Sequence, residues 1–142
     1  MQDNVKTADL LLDTSAAIAL LVVDHEHHSA TFDALDGLEL GLSGHAAFET
    51  FSVLTRLPLP ARRTPAAAQK LLQANFPHTK FLSPQGAEKL LPELARTKIA
   101  GGSVYDALVA AAAREHGIRL ATRDDRALEI YRALGIEVQS LA

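Results

Sequence analysis

Four carboxylates stand out by where they fall in this sequence: Asp13, Glu49, Asp106 and Asp124, separated by 36, 57 and 18 residues. Hard divalent cations such as Mg2+ and Mn2+ take oxygen ligands of this kind, in sites that use few carboxylates and leave room for water and substrate phosphate. Asp13 follows Leu10-Leu11-Leu12 directly, and Asp124 follows the expected strand Ile118 to Ala121 across Thr122-Arg123. Each also has the plainer role of a helix N-cap open to it. Asp106 is the only charged residue between Ile99 and Ala113, among Val104, Tyr105, Leu108, Val109 and a run of alanines. An ionised carboxylate buried there costs on the order of several kcal/mol unless it is paired or binds a cation. The alternative is a capping box, with Ser103 as the cap and Asp106 reaching back to it. Glu49 shares a stripe at helical spacing with His45, Ser52 and Arg56, which reads either as a solvated face or as a groove pointing toward Asp13.

The elements that must position these groups follow from apolar periodicity and punctuation. Residues 10–12 read as a buried strand turning straight into a helix over 16–23, with Thr14 and Ser15 as caps. A second short helix covers 29–35 and ends at Gly37. Leu38, Leu40 and Leu42 alternate as a strand does, and Ser43 is expected to cap a helix over 44–57 that Pro58 and Pro60 stop. Thr64-Pro65 and Ser83-Pro84 each pair a cap with a proline at the first helical position, opening helices to 76 and 97, with a possible short strand over 80–82 between them. Ser103 is expected to cap a helix to His116 closed by Gly117; then come a strand over 118–121, a helix over 125–134 ended by Gly135, and a strand over 136–140. Strands alternating with helices predict an α/β fold with a central, mainly parallel sheet. In such sheets ligands bind at the carboxyl ends of the strands, where Asp13 and Asp124 are expected.

Composition narrows the classes. The chain has 142 residues, 48% hydrophobic and 5% aromatic, with no cysteine or tryptophan, which excludes disulfide scaffolds and thiolate metal sites and fits one domain over 1–142. The apolar stretch 10–23 is short of the roughly 20 residues a membrane helix needs and carries Asp13. Asp3 and Asp9 dilute Lys6, so no signal peptide is expected, and the compartment is read as cytoplasmic. A formal charge of −3 speaks against a strongly basic nucleic-acid binder, but with four carboxylates committed to a cation it becomes +1 for the rest.

Taken in order, Leu-Leu-Asp13-Thr14-Ser15-Ala16, Ala-Phe-Glu49-Thr-Phe-Ser-Val-Leu-Thr-Arg56, Tyr-Asp106-Ala-Leu-Val-Ala and Ala-Thr122-Arg-Asp124-Asp125-Arg, with the tail Tyr-Arg-Ala-Leu-Gly135, resemble the PIN domain, and most closely the VapC toxins of toxin-antitoxin pairs. The resemblance implies a single three-layer α/β/α PIN-like domain and a metal-dependent endoribonuclease. Asp13, Glu49, Asp106 and Asp124 would be its catalytic acids, with Asp13, Asp106 and Asp124 on Mg2+, or Mn2+ in its place. Thr14, Thr122 and Asp125 would support them; Asp125 lies three residues after Thr122, as a capping-box acid does. The ion would activate water for in-line attack at phosphorus with no protein nucleophile, leaving 5′-phosphate and 3′-hydroxyl ends. A VapB-type antitoxin occupying the groove and a homodimer are further implications.

Arg56 and Arg123 are the basic residues chosen as RNA phosphate contacts. His25, His27 and His28 have a spacing that could take a transition metal, but no partner at a recognised spacing. His45 either contacts the acids or bonds a neighbouring side chain. A dehalogenase-like phosphatase would need an Asp where Ser15 stands, and a receiver module would need a Lys after its last strand. The remaining alternative is a PIN-like module that binds RNA or protein without cutting.

Overall fold

The computed structural model describes residues 8–142; Asp3 and Lys6, part of the signal-peptide argument, lie outside the described residues. Four short strands, β1 (Leu10–Leu12), β2 (Leu40–Leu42), β3 (Leu120–Thr122) and β4 (Val138–Ser140), form a parallel sheet in the order β2-β1-β3-β4. The chain leaves β1 for β2 on one side and returns to β3 and β4 on the other, so the order reverses between β1 and β3. Both strands aim their carboxyl ends at that point, where α/β sheets hold ligands.

Helices cover both faces. Leu10 and Leu12 enter an apolar cluster with residues of α1 (Thr14–Leu21), α2 (His28–Leu35), α3 (Ala46–Thr55) and α4 (Pro65–Asn75). Leu11, pointing the other way, joins α5 (Pro84–Arg96), α6 (Ser103–His116) and α7 (Asp125–Ala133). Three consecutive buried leucines are what a strand covered on both faces requires. β2 is likewise buried throughout, which is why the expected alternation shrinks to residues 40–42 and leaves Leu38 exposed. Gly41 is fixed by close approach: a Cβ there would stand 2.2 Å from the His78 carbonyl oxygen. The strand expected over 80–82 reduces to one bridge, Ser43 to Lys80. Among the described residues no helix is long and apolar enough to cross a membrane.

Capping separates the periphery from the sheet edge. Thr64 and Ser83 cap α4 and α5 as expected, accepting from the backbone N–H groups of Ala67 and Gly86, and Gly117 closes α6 in the left-handed conformation. At the edge the expected caps are corrected. Asp13, not Thr14 or Ser15, caps α1, accepting from Ala16 N at 3.0 Å. The Ser43 hydroxyl donates to the Val109 carbonyl on α6 at 2.7 Å instead of capping α3, and His45 takes the cap position without a side-chain bond. Gly102, not Ser103, precedes α6, so the capping box that would have occupied Asp106 is not formed.

Candidate active site

A cleft of about 80 Å³ opens at the reversal point, lined by Asp13, Thr14, Ser15, Glu49, Asp106, Val109, Asp124 and Tyr131. All four carboxylates singled out in the sequence meet here, delivered by the end of β1, α3, the first turn of α6, and the cap of α7. Two of them stand in the first turns of helices, where the N-terminal dipole favours negative charge.

Asp13 is 4% exposed. Its Oδ1 accepts from the Ser15 hydroxyl at 2.7 Å and from Ala16 N, and its Oδ2 accepts from the Tyr131 hydroxyl at 2.8 Å. Burial pushes its pKa up, while these donors and the neighbouring Thr122 hydroxyl pull it back. Thr122 is fully buried; its oxygen accepts from Asp124 N at 3.0 Å and lies 3.3 Å from Ser15 Oγ, joining the ends of β1 and β3. Glu49 accepts from the Thr14 hydroxyl at 3.1 Å and approaches His45 Nε2 at 3.3 Å. His45 in turn stacks on Tyr105, with ring centroids 5.1 Å apart. Asp124 accepts from Arg126 N at 3.0 Å.

Asp106 differs from the other three: among the described residues its carboxylate has no hydrogen-bond partner. Burial, then the charges of Asp124, Glu49 and Asp13, push its pKa up to about 6. Mutual repulsion of converging carboxylates is the electrostatic mark of a place where positive charge lowers the energy. Four hard oxygen groups on one small cleft, with no thiolate or imidazole ring among its lining, fit Mg2+ or Mn2+ by donor chemistry. As the side chains stand, no three acids or histidines among the described residues are grouped to hold an ion. Asp13, Glu49 and Asp124 are turned to the protein donors just named.

The other expected residues fall as follows. Asp125 is exposed in the first turn of α7 and off the cleft, and the capping box with Thr122 is replaced by the Asp124 cap. Arg56 is exposed at the end of α3. Arg123 is turned inward, donating to the Leu141 carbonyl and to Thr31 Oγ1. His28 Nδ1 lies 3.1 Å from the Ala19 carbonyl, and His25 Nδ1 accepts from His27 N, so two of the three histidines bond backbone rather than sharing a ligand. Two cleft residues were not foreseen in these roles. Ser15 has the residue type of a cap, and its position two residues after Asp13 is the available signal. Tyr131 belongs to the tail motif, and its place in the apolar stripe with Ala127 gives no hint that its hydroxyl reaches Asp13.

Comparison with known proteins fits this arrangement. The PIN domain family profile matches residues 10–133. Ribonuclease VapC27 of Mycobacterium tuberculosis is 48% identical over 129 residues, covering 91% of this chain and 94% of that protein. Two solved structures are alike in fold. FitAcB from Neisseria gonorrhoeae has a TM-score of 0.69 at 19% identity, covering 93% of this chain and 97% of that one. DNA-bound VapBC from Salmonella typhimurium has a TM-score of 0.68 at 22% identity, covering 94% and 98%. With nearly half of its residues shared along almost the whole of a VapC ribonuclease, this chain belongs to the PIN-domain family, in its VapC branch.

Proposed function

We propose that this protein is an Mg2+-dependent endoribonuclease, with Mn2+ able to substitute, acting as the toxin of a toxin-antitoxin pair. The observation that carries the reading is the convergence of Asp13, Glu49, Asp106 and Asp124 on one cleft at the β1/β3 reversal. A divalent cation bound there would supply Lewis-acid polarisation of a phosphodiester and a lowered pKa for an attacking water.

The chain's own residues divide the remaining work. Asp13, held by three donors, is the fixed ligand; Asp106 and Asp124 are the adjustable ones. Glu49, oriented by Thr14 and His45, is placed to take a proton from water. Thr122 keeps the two strand ends in register beneath them. Arg56, exposed beyond Glu49 on α3, is the phosphate contact, whereas Arg123 holds the chain end through Leu141 and Thr31. A VapB-type antitoxin, of the kind implied by the VapBC relative, would silence the site by covering the cleft. Exposed Phe48 and Phe81, 5.9 Å apart, give a second copy an apolar face to cover in a homodimer.

The test is incubation of purified, antitoxin-free protein with total cellular RNA in Mg2+, Mn2+ or EDTA. Discrete cation-dependent fragments with 5′-phosphate ends, mapped to the substrate, are the expected result. RNA that is bound but stays intact in every condition favours a non-catalytic binding module instead.

A further inference from the structure

Tyr131 is 1% exposed, its ring packed in the cluster that fastens α5, α6 and α7 to the sheet. Among the described residues its hydroxyl makes one hydrogen bond, to Asp13 Oδ2 at 2.8 Å across 118 residues of sequence. Phenylalanine would fill nearly the same space without a buried oxygen to satisfy, so packing alone does not account for the hydroxyl. Asp13 Oδ1 already accepts from Ser15 Oγ and Ala16 N. The phenol is therefore the donor that anchors the second oxygen, and with it the rotation of the carboxylate. Each carboxylate oxygen has two lone pairs; the phenol takes one on Oδ2 and leaves the other for the cleft that both residues line.

We propose that Tyr131 is a positioning residue of the cation site, its hydroxyl holding Asp13 in the one orientation that presents it to a divalent ion. This inference rests on the reading that such an ion binds in the cleft. Hydrogen-bond partners behind metal-binding carboxylates act in this way, and their loss weakens metal affinity about 10- to 100-fold. The competing role is a staple that docks α7 and has no bearing on the cation.

The experiment is titration of the purified protein with Mn2+, reading free ion by electron paramagnetic resonance, alongside thermal melting. It uses wild type, Tyr131→Phe, Asp13→Asn, the double variant, and Thr64→Ala, which loses the cap of α4, a helix with no residue in the cleft. Tyr131→Phe is expected to fold and to bind Mn2+ at least about tenfold more weakly. Thr64→Ala should melt lower yet bind as wild type, and Tyr131→Phe should add little once Asp13→Asn is present. Wild-type Mn2+ affinity in Tyr131→Phe, or failure of that variant to fold, would overturn the proposal and leave the hydroxyl a staple. A wild-type protein that binds no Mn2+ would overturn the cation reading itself, and the inference with it.

Discussion

The two ends of α6 treat carboxylates in opposite ways. Near its C-terminus Arg114 holds Glu93 of α5 through two bonds of 2.9 and 2.7 Å, and the arginine keeps Glu93 below the usual carboxylate range. At its N-terminus Asp106 faces three other acids and is pushed up to about 6. One helix thus carries a neutralised pair that joins two elements, and a crowded group with no hydrogen-bonded partner among the described residues. A fold selected only for stability would not gather four acids at one cleft, since each added charge raises the cost of the others. The difference is between an acid neutralised by a bonded arginine and one crowded by like charge.

The largest effect that would break this contrast is on activity. Asp106→Asn keeps the shape and removes the charge, and should lower the rate of RNA cleavage by more than about 100-fold, beyond what loss of a supporting group costs. Glu93→Gln should leave that rate unchanged; equal losses in the two variants would erase the distinction. Next, Asp124→Asn should cost about 100-fold, while Asp125→Asn, off the cleft, should cost less than about threefold in the same assay. The reverse order would exchange the two aspartates.

Smaller effects lie in stability. Glu93→Gln should cost about 1 kcal/mol, the upper range for a well-formed bidentate pair at a partly exposed site, and lower the melting temperature by a few degrees. Because the folded-state pKa of Glu93 is depressed, its contribution is present above the unfolded value and is lost as pH falls through the folded one. Asp106 has the opposite sign. Its folded pKa, about 6, lies above the ordinary 3.8, so the cation-free fold loses stability as pH rises between those values. A melting series from pH 4 to 8 in EDTA would show the decline, and Asp106→Asn should flatten it.

The sequence made the fold legible because its signals were local and repeated. The Leu10–Leu12 strand, Thr64-Pro65, Ser83-Pro84 and Gly117 all act through neighbours a few residues away, and they are found where expected; the strands read over 38–42, 118–121 and 136–140 shorten or shift to 40–42, 120–122 and 138–140. The four acids were also legible, since an isolated Asp106 in an alanine-rich helix is costly without a function. The misreadings cluster at the sheet edge. Thr14, Ser15, Ser43 and Ser103 have the residue types of N-caps, and none serves as one there. The hydroxyls of Thr14 and Ser43 donate instead to Glu49 and the Val109 carbonyl, and the Ser15 oxygen accepts from Arg123 N while donating to Asp13. Capping is a local preference, and long-range bonds at a site override it, so failed caps are themselves a sign of the site. Tyr131 was illegible for the same reason: its partner is 118 residues away.

The most direct test of the central claim, that these acids converge to hold a cation, is a comparison of melting temperatures for wild type and Asp106→Asn at pH 7.5, in EDTA and in Mn2+. In EDTA the Asn variant should melt about 2 °C or more above wild type, because a repelled charge is gone. In Mn2+ the order should invert, wild type rising with ion concentration and the variant responding little. A wild-type protein that melts at the same temperature with and without Mn2+, or an Asn variant that responds equally, would contradict the account.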